Sequence, residues 1–436
     1  VKNQSPLIVG ISDDGNFIAS DIPAVLAYTR RIMYIDDGEI IVLKKDSVKV
    51  YNSFLEPVKK EVKIIDWDVE AAEKGGYEHF MFKEIMEQPD AIRKTVAPRV
   101  KDGEIIFEGL KLTDEKLNTF NKIFVVACGS AYHVGVIAKY IIEKNVRIPV
   151  EVIVASEFRY CDPIVDAETL MIVISQSGET ADTKAALEEG KRRGAYSVAV
   201  VNVVCSAIAN MADDVIYTWA GPEIAVATTK AYSTQLAVIY LLTLYMANIK
   251  NTIGRELYES RLEAVISLPD RVAQCLENKE RLQYCASLFY GSQSIFFIGR
   301  NLDYAVALEG SLKLKEISYI HSEAYAAGEL KHGTISLIEE GTLVVALATN
   351  RVLRDKLISN IKEVKARGAV VLAVARVGDE EIASVADRVI YLPIADDYIM
   401  PSLAVVPLQL FAYYVAAQKG CSIDQPRNLA KSVTVE

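Results

Sequence analysis

Histidine is scarce in this chain. His79, His133, His321 and His332 are the only ones in 436 residues. None has metal-ligand spacing, which speaks against a metal centre. Cysteine is sparse as well. Cys128, Cys161, Cys205, Cys275, Cys285 and Cys421 are scattered with no CxxC pair. That is the usage of reduced thiols in a cytosolic protein, not of a disulfide scaffold. An excess of positive charge is also missing: 48 Lys and Arg stand against 58 Asp and Glu, a formal net charge of −10. This disfavours a nucleic acid or an anionic membrane as partner. No apolar run approaches the roughly 20 residues of a membrane span, and no signal peptide opens the chain. The cysteine usage leads us to expect a cytoplasmic protein.

At 436 residues the chain is too long for one core, so two or three domains are expected, and its apolar content, 51% of residues, is ordinary for a globular protein. Residues 1–65 read as β-rich. "PLIVGI", "RRIMYI", "EIIVLKK" and "SVKVYN" are short apolar or alternating runs, with Asp36-Asp37-Gly38 as a hairpin turn. Residues 66–115 read as a charged helical connector, its helix "FMFKEIMEQPDAI" stopping near Pro89. After it the chain repeats itself. "RGAYSVAVV" at 193 matches "RGAVVLAVA" at 367. "MADDVIY" at 211 matches "VADRVIY" at 385, and "TQLAVIYLL" at 234 matches "LQLFAYYVA" at 408. Each offset is 174 residues. Two copies of one α/β unit are expected, over 116–250 and 265–420. Continuous apolar strands between amphipathic helices imply two tandem, doubly wound parallel sheets.

One strand of the first copy, "TLMIVIS", breaks into Ser175-Gln176-Ser177-Gly178-Glu179-Thr180. Ligands sit beyond the carboxyl ends of strands in such sheets. A helix is expected from Ala181, and its free N–H groups and dipole favour an anion. The hydroxyls of Ser175, Ser177 and Thr180 add donors, and Gly178 allows close approach. The alternative is a plain N-cap at Thr180. A cap needs one hydroxyl, so three favour a phosphate cradle. The second copy has Ala348-Thr349-Asn350-Arg351 at this place, so only one cradle is expected. The turn "ACGSAYH" carries Ser130, a weak signal alone.

In "DYAVALEGSLKLKEISY", Glu309, Lys313 and Glu316 share one helix face. They form either a surface salt-bridge ladder or a polar stripe in a cleft, where a carboxylate beside a lysine could move a proton between sugar carbons. His332 lies in a Gly-flanked loop and says little by itself. The ending "DQPRNLAKSVTVE" is apolar for a tail and is expected to dock. That makes Lys431 either a surface lysine or a partly desolvated amine able to attack a carbonyl.

"SQSGETADT", "SEFRY", "LEGSLKLKEISYIHSEAYAAGELKHG" and "QPRNLAKSVTVE" resemble the isomerising glutamine–fructose-6-phosphate aminotransferases. The resemblance runs from about residue 5 to the end. It implies two sugar isomerase (SIS) domains behind a glutaminase domain, of which 1–65 would be the last strands and the nucleophilic cysteine would lie outside this chain. It implies fructose 6-phosphate as substrate, glucosamine 6-phosphate as product, ammonia from glutamine, no cofactor and a homodimer. The sugar phosphate would sit on Ser175, Gln176, Ser177 and Thr180. Ser130 and the backbone near Ala227 would hold the sugar. Glu316 would shuttle a proton between C1 and C2, and Lys313 and Glu309 would complete its polar face. His332 would open the ring from the neighbouring subunit, and Lys431 would form a Schiff base, with residues 421–436 closing the site. Thr334 and Ala131 depart from the family pattern, where proline and a second serine are common. A plain phosphosugar isomerase would not need Lys431. A non-catalytic SIS sensor could dispense with Glu316 and His332.

Overall fold

The computed structural model describes residues 1, 7–19, 23–26, 28–64 and 74–434. The expected junction at residue 65 and the apolar Val435 lie outside the described residues.

Both copies of the repeat form five-stranded parallel sheets. In the first, strands run over Lys122–Ala127, Val150–Val154, Thr169–Ser175, Tyr196–Val201 and Asp214–Tyr217. In the second they run over Ser294–Gly299, His321–Ala326, Leu343–Ala348, Val370–Arg376 and Arg388–Leu392. Numbered within its own copy, each sheet has the order 2-1-3-4-5. The order reverses between the first and third strands, which opens a crevice at their carboxyl ends. The expected start of the second unit, residue 265, falls inside the Arg255–Leu276 helix.

Strand alternation sorts the core. Ile123, Val125 and Ala127 join one large apolar cluster, while Phe124 and Val126 join an outer one. In the second sheet, Ile295 and Phe297 join the same large cluster, and Phe296 and Ile298 a separate outer one. The two units therefore share one core. Helices Gly129–Val146, Lys230–Ile249, Leu302–Ser318 and Met400–Gln418 fill it, the last two packed against each other. Met400–Gln418 is apolar and long enough to cross a membrane, which the sequence reading did not anticipate. Its residues are nearly all buried, and core packing accounts for that composition.

The N-terminal region corrects two expectations. Arg31–Tyr34 pairs with Ile8–Ser12, but Ile40–Lys44 pairs with Ser47–Tyr51 in another sheet. Asp36-Asp37-Gly38 thus carries the chain between sheets and closes no hairpin. A glycine turn signals a change of direction, not which strands pair. In the connector, the helix Phe80–Met86 ends as expected, yet a second helix, Gln88–Val96, begins at once with Pro89 in its first turn. Proline lacks the N–H that a first turn leaves unbonded anyway, so it starts a helix as readily as it ends one.

Gly310 lets the Leu302–Ser318 and Met400–Gln418 helices meet. A Cβ there would lie 2.5 Å from Leu408 Cδ1 and 3.2 Å from Phe297 Cε1. Gly310→Ala should lower stability by about 1–3 kcal/mol through overpacking. Urea unfolding checks this, and a change inside experimental error would contradict the packing described.

Candidate active site

The cradle turn is held by its own hydroxyls. Gly178 N donates to Ser175 Oγ at 3.0 Å, and Ser175 Oγ lies 3.1 Å from Thr180 Oγ1. Glu179 N donates to Ser177 Oγ at 3.2 Å. Gly178 sits at φ +67, and a Cβ on it would fall 2.0 Å from Ser206 Oγ. Both constraints require glycine. The backbone of Gln176 accepts from Asn202 N. A helix follows over Ala181–Arg192, as expected, but Thr180 makes no side-chain cap to it. Its first amide, Ala181 N, is bonded to Val433 O of the tail at 3.0 Å. The plain N-cap alternative is therefore not what the structure has.

The second copy is built differently at this place. At the end of its third strand, Thr349 N and Asn350 N donate to Asp303 Oδ2 at 2.9 and 3.0 Å. An internal carboxylate occupies the amides that an external anion would need. Burial pushes the Asp303 carboxyl up to about 6, against the hydrogen bonds of Thr349 and Asn350.

The tail crosses the first unit. Val226 N donates to Asp424 O, and the Asp424 carboxylate accepts from Phe80 N and Met81 N of the connector helix. Ser432 Oγ lies 3.0 Å from Ser177 Oγ of the cradle. Between these anchors, Lys431 Nζ donates to Glu223 Oε2 at 2.6 Å and to Ala225 O at 2.7 Å. Lys431 is neither a surface lysine nor simply desolvated: it has a counter-ion. Glu223 is fully buried. Its other oxygen accepts from Thr229 N and Ala231 N, at the start of the Lys230–Ile249 helix, where a negative charge is favoured. Burial alone would raise its carboxyl, but Lys431 and these amides hold it below the ordinary range. Ala227 lies buried in the same loop.

The polar stripe of the second unit points into the interface between the units. Glu309 Oε1 accepts from Ser130 Oγ at 2.9 Å, and Glu309 Oε2 lies 2.8 Å from His133 Nδ1. Lys313 is 3.5 Å from Glu309 and ion-paired with Glu316. Glu309 and Lys313 are wholly buried, which excludes the surface-ladder alternative. Burial works against the Lys313 ammonium, but Glu316 and Glu309 raise its pKa above the ordinary value. The charge of Glu223 acts on Lys313 too, so the stripe and the tail lysine share one polar region. His332 stands apart on the exposed turn Glu329–His332. No hydrogen bond or ion pair joins it to the other site residues among the described residues.

Sequence reasoning missed three residues here: Glu223, His133 and Glu84. Glu84, on the connector helix, accepts from Ile224 N and Ala225 N through one oxygen. Its other oxygen is buried without a partner among the described residues. Burial, then the nearby charge of Glu223, pushes the Glu84 carboxyl up to about 8, against Lys431 and Lys230. Folded Glu84 therefore keeps its proton where the unfolded chain would have lost it. Its contribution to stability must fall as pH rises from about 4.5 to about 8. Glutamine has no proton to lose. Urea titrations should show Glu84→Gln gaining on the parent across that window and no further above it. A gap independent of pH would contradict the assignment.

The SIS domain family matches residues 116–245 and 288–419. The glutamine–fructose-6-phosphate aminotransferase [isomerizing] of Clostridium acetobutylicum is 57% identical over 437 residues, covering 100% of this chain and 72% of that protein. That of Caldanaerobacter subterraneus is also 57% identical, with the same coverage. The solved C-terminal domain of glucosamine-fructose-6-phosphate aminotransferase from Francisella tularensis superposes with a TM-score of 0.78 at 38% identity, covering 81% of this chain and 100% of that one. The aminotransferase relatives align with the whole chain, both sugar isomerase units, the connector and the tail included, and the chain belongs to the isomerising glutamine–fructose-6-phosphate aminotransferase family.

Proposed function

We propose that this chain binds fructose 6-phosphate and converts it to glucosamine 6-phosphate with nitrogen from glutamine, the SIS pair carrying the sugar chemistry. One observation carries the reading: Ser432 and Val433, directly after Lys431, are hydrogen-bonded to Ser177 of the cradle turn and to the first amide of the helix that follows it. That brings an amine able to attack a ketone beside a turn suited to a phosphate. In this reading Ser175, Gln176, Ser177 and Thr180 take the phosphate. Ser130 and the backbone at Ala227 hold the sugar chain. Lys431 adds to the C2 ketone with loss of water, and ammonia adds to the resulting protonated imine and displaces the lysine amine. Glu316 then takes a proton from C1 of the ammonia-derived imine and returns it to C2, leaving the 2-amino aldose and a free Lys431. Lys313 and Glu309 hold Glu316 in place.

Ser175→Ala and Thr180→Ala should each weaken fructose 6-phosphate binding about 10- to 100-fold, the worth of one charge-assisted hydrogen bond. Calorimetry reads this directly, and unchanged affinity would remove the phosphate from the turn.

His332 enters from a neighbouring subunit in this proposal. Its exposure, and the lack of a hydrogen bond or ion pair to Glu316 among the described residues, support that reading. Glu316→Gln and His332→Ala should each abolish solvent deuterium exchange into the sugar. Mixed and re-paired, they should recover about a quarter of the parent exchange, because half of the dimers carry one intact site. Heterodimers that form and stay inactive would place His332 in its own subunit's site or outside the chemistry.

A further inference from the structure

Lys431 must lose a proton before it can attack a ketone, and the structure bonds it to a group able to take one. We infer that Glu223 accepts the Lys431 proton and returns it to the departing hydroxyl, while Glu84 of the connector helix is a positioning residue for the loop that holds both. The inference rests on the reading of Lys431 as the amine that meets the sugar.

The geometry carries it. Glu223 Oε1 is committed to the amides of Thr229 and Ala231. Oε2 is left for Lys431 Nζ, 2.6 Å away, with the Thr228 hydroxyl at 3.1 Å. The second acceptor on Lys431 is Ala225 O, and the amides of Ile224 and Ala225 end on Glu84. The loop is thus pinned from both sides, by Lys431 on one and by Glu84 on the other. The other charged groups around it are the Lys230–Glu87 pair, Lys83 beside Glu87, Lys313 and Asp424 of the tail.

The step balances. One N–H bond of the ammonium breaks and an O–H bond forms on Glu223. The neutral amine adds to the carbonyl carbon, and the new nitrogen passes one proton to the former carbonyl oxygen. The Glu223 acid then protonates that hydroxyl, water leaves, and a protonated imine remains beside a restored carboxylate. No other reactant is consumed. Glu84 takes no proton in this cycle. With its carboxyl at about 8 it is a neutral acid near pH 7, so glutamine should replace it.

The test is borohydride trapping of fructose 6-phosphate on Lys431, timed by peptide mass mapping. Glu223→Gln keeps an acceptor for Thr229 and Ala231 but has no base. Trapping should slow about 100-fold, the lower end of general acid–base catalysis. Sugar affinity by calorimetry should stay within about threefold of the parent. Acylation of Lys431 by an amine-selective reagent should become faster, because a partly buried ammonium without its counter-ion is disfavoured. A purely structural role would slow both reactions. Glu223→Asp, which keeps a carboxylate, should trap faster than Glu223→Gln. Glu84→Ala should slow trapping about tenfold, the effect of a misplaced group, and Glu84→Gln should restore it below pH 8. Trapping by Glu223→Gln at the parent rate, or loss of trapping and acylation together, would overturn the role of Glu223. Equal loss in Glu84→Ala and Glu84→Gln would overturn that of Glu84. Absence of a Lys431 adduct in the parent chain would instead refute the amine reading and, with it, this inference.

Discussion

A carboxylate with no exposure to water needs a cation, and Glu223 has Lys431. Removing one partner of such a pair typically costs about 3–5 kcal/mol, because the remaining charge is left buried and unpaired. This single requirement fixes the C-terminal tail on the body of the first unit. From it follow the contact of Ser432 with the cradle and the capping of Ala181 by Val433. The same loop is tied to the connector helix through Glu84. Cradle, tail and connector are therefore one polar assembly built around a buried charge.

The duplicated scaffold divides its labour. The first unit supplies the turn after its third strand and Ser130 after its first, on either side of the point where strand order reverses. The second unit supplies the helix bearing Glu309, Lys313 and Glu316. At the end of its own third strand the amides of Thr349 and Asn350 are already satisfied by Asp303. Glu309 links the halves: a wholly buried carboxylate of one unit answers Ser130 and His133 of the other. Separating the units would strip that carboxylate of Ser130 and His133 and leave it only Lys313 of its own helix.

Much of this was legible in the chain. The constant offset of 174 residues recurs in the structure, where strands starting at Tyr196 and Asp214 have counterparts starting at Val370 and Arg388. The hydroxyl cluster stood out because nothing in a buried strand calls for it. Glu223 did not stand out. It sits in a loop without periodicity, and its partner is 208 residues away in sequence. A lone acid in the apolar stretch Pro222 to Ala227 was the available signal. Glu84 looked like any glutamate of an amphipathic helix, and only burial distinguishes it. The turn at Gly38 and the role of Pro89 failed for a related reason. Local residue chemistry marks where a chain turns, while long-range pairing decides what the turn joins.

The central claim is that one site holds the sugar phosphate on the cradle and the ketone carbon against Lys431. A crystal structure of this chain grown with fructose 6-phosphate tests it most directly. The account predicts phosphate density within hydrogen-bond reach of Ser175, Ser177 and Thr180, and the sugar chain running toward Lys431 Nζ. Phosphate bound elsewhere, or a cradle left to solvent while the sugar occupies another cleft, would contradict it.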